Sequence, residues 1–283
     1  MKIMEHIEKF ALKNETKIAI GLEYKIENIE RMKKIVSNFY GHPKIKIILI
    51  SDGTSKIPNN YFPQEIEVLA SENVVNTMID LLKENKIDAL IRGMVSSSTF
   101  LEMVKKILKL NTLSRIALLE TAFNKDFLFA PVGIDEGRSI DEKIYFIKNG
   151  YKILKDFGIE PAISLLSGGR IGDLGRDKIV DKSINETTLI VNRMKDENIE
   201  NISHSEILIE EAIKQSNFII APDGISGNLI YRTLVHLGNG FSHGALYIEP
   251  YTMGKIIIDT SRVGPENEYK SAILMAAAFK NLL

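Results

Sequence analysis

Four short segments of this 283-residue sequence gather the residue types that hold anions or steady a developing negative charge. The first is Ser167-Gly168-Gly169-Arg170-Ile171-Gly172-Asp173. Glycines let consecutive backbone N–H groups converge, and a helix starting beside them adds partial positive charge. With Arg170 and Arg176 close by, the chemistry is anion binding, phosphate foremost; the plainer alternative is a tight turn with surface arginines. The second is Pro222-Asp223-Gly224-Ile225-Ser226-Gly227-Asn228, a glycine turn in which Asn228 is placed to cap the following helix. A capped turn and a turn whose backbone meets a ligand fit it equally well, with Asp223, Gly227 and Asn228 the ligand candidates. The third is Asp259-Thr260-Ser261-Arg262, directly after the apolar Ile256-Ile257-Ile258. Arg262 can grip a phosphate through two parallel hydrogen bonds, and Ser261 can donate to an oxyanion. The fourth is Arg92-Gly93-Met94-Val95-Ser96-Ser97-Ser98-Thr99. Helix capping accounts for Ser97 or Ser98, but not for Arg92 at the end of an apolar strand, so Arg92, Ser96 and Ser97 join the ligand candidates.

Other chemistries are excluded or weakened. The chain has no cysteine, so it has no disulfide, thiolate metal site or cysteine nucleophile. His6, His42, His204, His236 and His243 include no pair at metal-ligand spacing on one helix face, and no structural metal is expected. There is no Walker loop, nucleophile elbow or nucleic-acid module. The Ser167–Gly172 turn half-matches a dinucleotide fingerprint, but that needs a second strand ending in an acid about 20 residues on. Lys178–Met194 instead reads as one helix, which weakens a nicotinamide or S-adenosylmethionine site. Lys and Arg total 36 against 37 Asp and Glu, a formal net charge of −1, so nothing draws the whole chain to nucleic acid or anionic membranes. The charged N-terminal stretch lacks the apolar core of a signal peptide, and no apolar run approaches the ~20 residues of a membrane helix. A cytoplasmic protein is expected.

The elements that must position these segments alternate along the chain. Lys17–Leu22, Lys44–Ser51, Ile66–Ala70, Asp88–Arg92 and Arg115–Glu120 read as buried strands. Glu72–Lys86 and Ser98–Leu110 carry apolar residues at helical spacing between them. A second block follows: strand Phe127–Val132, helix Asp141–Phe157, strand Ala162–Leu166 and a long helix Leu174–Lys195. Lys195–Ser203 reads as a surface connection. Helix Ser205–Gln215, strand Asn217–Ala221, helix Asn228–Leu237, strands Ala245–Ile248 and Lys255–Asp259, and helix Asn267–Asn281 complete the chain. Such alternation predicts mostly parallel sheets flanked by helices, an α/β fold.

Taken in order, the turns resemble the phosphate acetyl/butyryltransferases. The resemblance lies in Gly93-Met94-Val95-Ser96, in Gly158-Ile159-Glu160-Pro161 leading to Leu165-Leu166-Ser167, in Pro222-Asp223 with Gly227-Asn228 and Tyr231, and in Asp259 with Ser261-Arg262. The related PlsX acyltransferases share the glycine-asparagine turn. Order and spacing hold from about residue 88 onward; the first 87 residues match in pattern only. The resemblance implies two domains of the isocitrate/isopropylmalate dehydrogenase type, 1–135 plus 254–283 and 136–253, with the site in the cleft between them and dimerisation through the second. It also implies acyl transfer between coenzyme A and phosphate. Ser261 matches the oxyanion-stabilising serine and Arg262 the phosphate-binding arginine. Glu268 stands where an aspartate is held to deprotonate the thiol.

The departures concentrate on the coenzyme A side: Ser97-Ser98-Thr99-Phe100 replaces a glycine and a His-Ser/Thr pair, and Arg92 replaces an aspartate. Coenzyme A is thus the one cofactor the resemblance offers, and none is firmly implied. Leu-Ser-Gly-Gly-Arg followed by Gly172-Asp173, with the compact length, is most similar to the MtxX proteins of methanogens, also called methanogenesis marker protein 4. These are named for a methyltransferase subunit. Two expectations follow: a transferase-like protein binding a phosphorylated or acyl metabolite, or an auxiliary subunit of a methyltransferase complex. No corrinoid-binding pattern is present.

Overall fold

The computed structural model describes residues 2–53, 57–58 and 60–283. Internal contacts divide the chain into two compact α/β units. The first comprises Ile3–Leu113 with His243–Leu283, the second Ser114–Ser242. Both divisions come earlier in the chain than the crossings expected near 135 and 254.

In the first unit the strands are β1 (Thr16–Leu22), β2 (Ile45–Ser51), β3 (Glu67–Ala70) and β4 (Ala89–Ile91). They are joined by β10 (Phe241–Tyr247), which enters the unit at His243, and by β11 (Ile256–Asp259). Their order is β3-β2-β1-β4-β11-β10, parallel except for β10 against β11. The chain runs outward from β1 to β3 and then returns to place β4 on the other side of β1. The strand order therefore reverses between β1 and β4. The helices are α1 (Ile3–Ala11), α2 (Ile26–Ser37), α3 (Val74–Lys83), α4 (Ser97–Leu108), α9 (Ile248–Thr252) and α10 (Glu266–Lys280). One layer packs α10 on α1 and α2, and another packs α3 on α4; both reach the central strands β1 and β4. Val75, Met78 and Leu82 of α3 and Phe100 and Val104 of α4 meet Ala19, Leu90 and Ile257 in one core cluster. Burial on both faces explains why these strands read as unbroken apolar runs rather than alternating ones.

In the second unit the strands are β5 (Arg115–Glu120), β6 (Asp126–Ala130), β7 (Ile163–Leu165), β8 (Ile202–His204) and β9 (Phe218–Ile220). Their order is β5-β6-β9-β7-β8. β5 and β6 form an antiparallel hairpin, and the rest are parallel. Here the order reverses between β7 and β9. The helices are α5 (Ile140–Asp156), α6 (Lys178–Asp196), α7 (Ile209–Gln215) and α8 (Gly224–His236). Among the described residues no helix is long and apolar enough to cross a membrane.

Three expectations need correction. The stretch expected as a surface connection, Lys195–Ser203, runs into β8; only Ile202 of that three-residue strand is buried, so it carried little apolar signal. The long helix starts at Lys178 rather than Leu174, because Asp177 caps it by accepting from Ile179 N and Val180 N. Helix α8 starts at Gly224, and its cap is Asp223, whose carboxylate accepts from Ser226 N at 2.8 Å. Asn228 therefore lies inside the helix and is not the cap.

Candidate functional site

In open α/β sheets, ligands meet the loops at the carboxyl ends of the strands, above all where the strand order reverses. In the first unit those loops follow β1, β2, β4 and β11. They bring together Glu23 and Tyr24, Asp52 and Gly53, Arg92–Ser97, and Thr260–Gly264. Asp52 Oδ1 accepts from Tyr24 N at 2.8 Å, which ties the first two loops together.

The loop after β11 is braced from three sides. Glu268, near the start of α10, sends Oε1 back to Ser261 N at 2.9 Å. Glu268 is 2% exposed, and a Cβ at position 264 would lie 2.0 Å from its Oε2, so Gly264 is needed for the carboxylate to reach in. Tyr269 donates its hydroxyl to Ser261 O at 3.1 Å, and burial pushes its pKa up to about 12. Arg31 of α2 donates to Arg262 O at 2.6 Å and Gly264 O at 3.3 Å. Ser261 and Arg262 are thereby presented on a fixed backbone. The Arg262 side chain is 40% exposed, and its guanidinium meets Glu23.

Arg92 is placed differently from the expectation that it contacts a ligand. It is 6% exposed, and its guanidinium is shared among Asp259, Val95 O (2.9 Å) and Thr260 O. Burial opposes its charge, but the Asp259 carboxylate outweighs that and holds the guanidinium pKa above its ordinary value. Arg92 is thus a buried clamp that joins the loop after β4 to the loop after β11. Gly93 has φ +70°, and a Cβ there would lie 2.1 Å from Gly21 O, so the loop can cross β1 only with glycine. Ser96 stands at the N-terminus of α4 without a side-chain cap, and its hydroxyl lies 3.1 Å from that of Ser98. Ser96 and Ser97 are half-buried at the reversal between β1 and β4.

In the second unit, the turn after β7 is not an open nest of amides. Ser167 N donates to Glu206 O, Gly168 N to Ser183 Oγ, Arg170 N to Asp173 and Ile171 N to the Glu206 carboxylate, at 2.7–3.0 Å. The turn continues as a short 3-10 segment, Ile171–Asp173, so no long helix adds its dipole there. Ser167 is fully buried; its hydroxyl lies 2.8 Å from His204 Nε2 and donates to Gly169 O. His204 Nδ1 in turn faces Thr188 Oγ1 at 3.2 Å. Arg170 points outward and is exposed. The turn after β9 is a packing device. A Cβ on Gly224 would lie 1.8 Å from Gly133 O, and one on Gly227 2.0 Å from Pro131 O. Asn228 Nδ2 donates to Val132 O at 2.9 Å. Gly224, Gly227 and Asn228 therefore lock α8 onto the loop after β6, while Asp223 caps the helix. The same loop is held by Glu136, paired with Arg115 at 2.8 Å; burial pushes the Glu136 carboxyl up despite that partner.

Sequence reasoning missed Glu23, Arg31 and His204. Glu23 carried a signal, since it directly follows a buried parallel strand, where ligand-facing residues occur. Arg31 and His204 carried none, because their partners lie far along the chain.

No family model matches the chain. A Methanosarcina mazei protein named "Putative methyltransferase mtx subunit X" is 39% identical over 282 residues, 99% of this chain and 96% of that relative. The chain belongs to the mtx subunit X family. Among solved structures, a phosphotransacetylase from Streptococcus pyogenes superposes with a TM-score of 0.71 at 19% identity, covering 99% of each chain. A terephthalate 1,2-cis-dihydrodiol dehydrogenase from Burkholderia xenovorans gives 0.53 at 13% identity, over 89% of this chain and 91% of that one. At such identities the likeness concerns the fold: the chain has a phosphotransacetylase-like fold, also shared with dehydrogenases.

Proposed function

We propose that this protein binds a phosphate-bearing small molecule, an acyl phosphate first among them, on the carboxyl-end loops of its first unit. The observation that carries this reading is the contrast between two arginines. Arg92 is buried and fully engaged, whereas Arg262 is partly exposed at the end of β11 on a loop braced by Glu268, Tyr269 and Arg31. Arg262 takes the phosphate oxygens through paired hydrogen bonds. The Ser261 hydroxyl donates to the oxygen that becomes negative when a nucleophile adds to the acyl carbon. Ser96 and Ser97 add hydroxyl donors from the β1/β4 reversal.

In acyl transfer the coenzyme A thiol gives its proton to solvent, its sulfur bonds to the acyl carbon, the carbon–oxygen bond to phosphate breaks, and phosphate leaves with that bonding pair. Glu268 acts here by positioning, since the residue is 2% exposed and its Oε1 holds the Ser261 amide, which keeps it from an incoming thiol. The test is turnover by mass spectrometry with acyl phosphates of increasing length and coenzyme A. Product above the uncatalysed background, lost in Ser261→Ala, establishes transfer. No product with any donor, from folded protein, refutes transfer.

A second reading rests on the relative's name: a subunit that serves a methyltransferase assembly. The apolar outer face of α8 supports a protein contact, because the helix buries only Gly224 and Gly227 while Ile225 and Leu229 are exposed. A homodimer through this face and binding to methyltransferase subunits are both open to it. Light scattering of the pure protein and pull-down from native extract separate them.

A further inference from the structure

The guanidinium assigned to phosphate already has an anion on it. Glu23, the first residue after β1, pairs with Arg262, and its other oxygen lies 3.4 Å from Lys25 Nζ. A carboxylate offers an arginine the same planar, two-oxygen partner that a phosphate does. Glu23 also sits at the reversal between β1 and β4, where a ligand in this class of sheet is met first. Its backbone is fixed, with its carbonyl accepting from Asn28 Nδ2 at 3.1 Å. Both side chains keep access to solvent, so the pair can open without unfolding anything around it.

We propose that Glu23 is a built-in competitor for the anion site: an incoming phosphate must take Arg262 away from it. This rests on the reading of Arg262 as the phosphate-binding residue. The carboxylate lowers affinity twice, by occupying the guanidinium and by repelling the arriving negative charge. Bare inorganic phosphate, which has only charge contacts to offer, is held weakly as a result. A phosphorylated or acyl-phosphate metabolite, whose body makes further contacts, is the ligand class that can displace the carboxylate.

The experiment is calorimetric titration with inorganic phosphate of the full chain, wild type, Glu23→Gln, Arg262→Ala and the double variant, each shown to be folded by circular dichroism. Glu23→Gln keeps the side-chain shape and removes its charge, and is expected to tighten binding by on the order of tenfold. Arg262→Ala is expected to abolish binding, and the gain from Glu23→Gln is expected to vanish in its background. Binding that first becomes measurable in Glu23→Gln also supports the proposal. Unchanged or weaker binding in Glu23→Gln overturns it, and so does a gain that persists in the double variant. If wild-type binding depends on Arg262 but ignores Glu23, the competitor alone is lost. If neither wild type nor Glu23→Gln binds, the reading of Arg262 falls with it.

Discussion

Replacing Arg92 by alanine separates a structural arginine from a ligand-binding one. Arg92 is 6% exposed, and its guanidinium serves Asp259 and the carbonyls of Val95 and Thr260. The substitution deprives a buried carboxylate and two carbonyls of a charged donor. Breaking a buried ion pair from one side costs about 3–5 kcal/mol, because the remaining charge stays desolvated. For a chain of this size that corresponds to a fall of roughly 10 °C in unfolding midpoint. Urea denaturation followed by circular dichroism measures it, with Arg262→Ala as control. The exposed pair of Arg262 with Glu23 is worth at most about 1 kcal/mol, so the control should unfold almost as the wild type does. A cost below about 1 kcal/mol for Arg92→Ala would refute the clamp, all the more if anion binding were lost from an intact fold.

Other substitutions test other parts of the structure. Gly227→Ala places a methyl group 2.0 Å from Pro131 O and should destabilise by about 1–3 kcal/mol or more, read from urea midpoints. Asp223→Ala removes the cap of α8 and should cost about 1 kcal/mol, measured the same way. Burial holds the His204 imidazole below its ordinary pKa, against the opposing pull of Glu206. The unfolded chain then binds more protons than the folded one, so stability present above the ordinary histidine pKa is lost as pH falls from there through the lowered folded value. The drop in melting temperature between pH 7.5 and pH 5 should be smaller in His204→Gln than in wild type, by thermal melts at those roughly spaced values.

The alternating α/β pattern was legible because strands buried on both faces leave continuous apolar runs, as in Ile256–Ile258 and Phe218–Ile220. It also carried the mostly parallel direction of the strands, but the two antiparallel pairs went unread. The antiparallel pairing of β5 with β6 could have been inferred from their short connection, too brief for a parallel crossover. The pairing of β10 with β11 carried the same cue, since only residues 248–255 join them. The α2 segment carries Ile29, Met32, Ile35 and Val36 at helical spacing, and this was readable. Strand β8 was not, since it has a single buried apolar residue. The Asp223–Ser226 spacing was also a cap signal, more direct than Asn228. For the site, residue type marked out Arg262 and Arg92 equally. Only their burial, set by contacts more than 160 positions apart in sequence, separates them. The glycines of the turn after β7 illustrate the same limit. Their composition suggested an anion nest, but side chains remote in sequence, Ser183 and Glu206, take the amides.

The most direct test of the central claim is calorimetric titration of acetyl phosphate into wild-type protein and Arg262→Ala. Losing paired, charge-assisted hydrogen bonds worth about 1.5–3 kcal/mol should weaken binding roughly 10- to 100-fold. The account predicts saturable binding by the wild type and that loss in the variant, with the two unfolding curves superimposed. Equal affinity in both proteins, or no saturable binding by folded wild type, would contradict it.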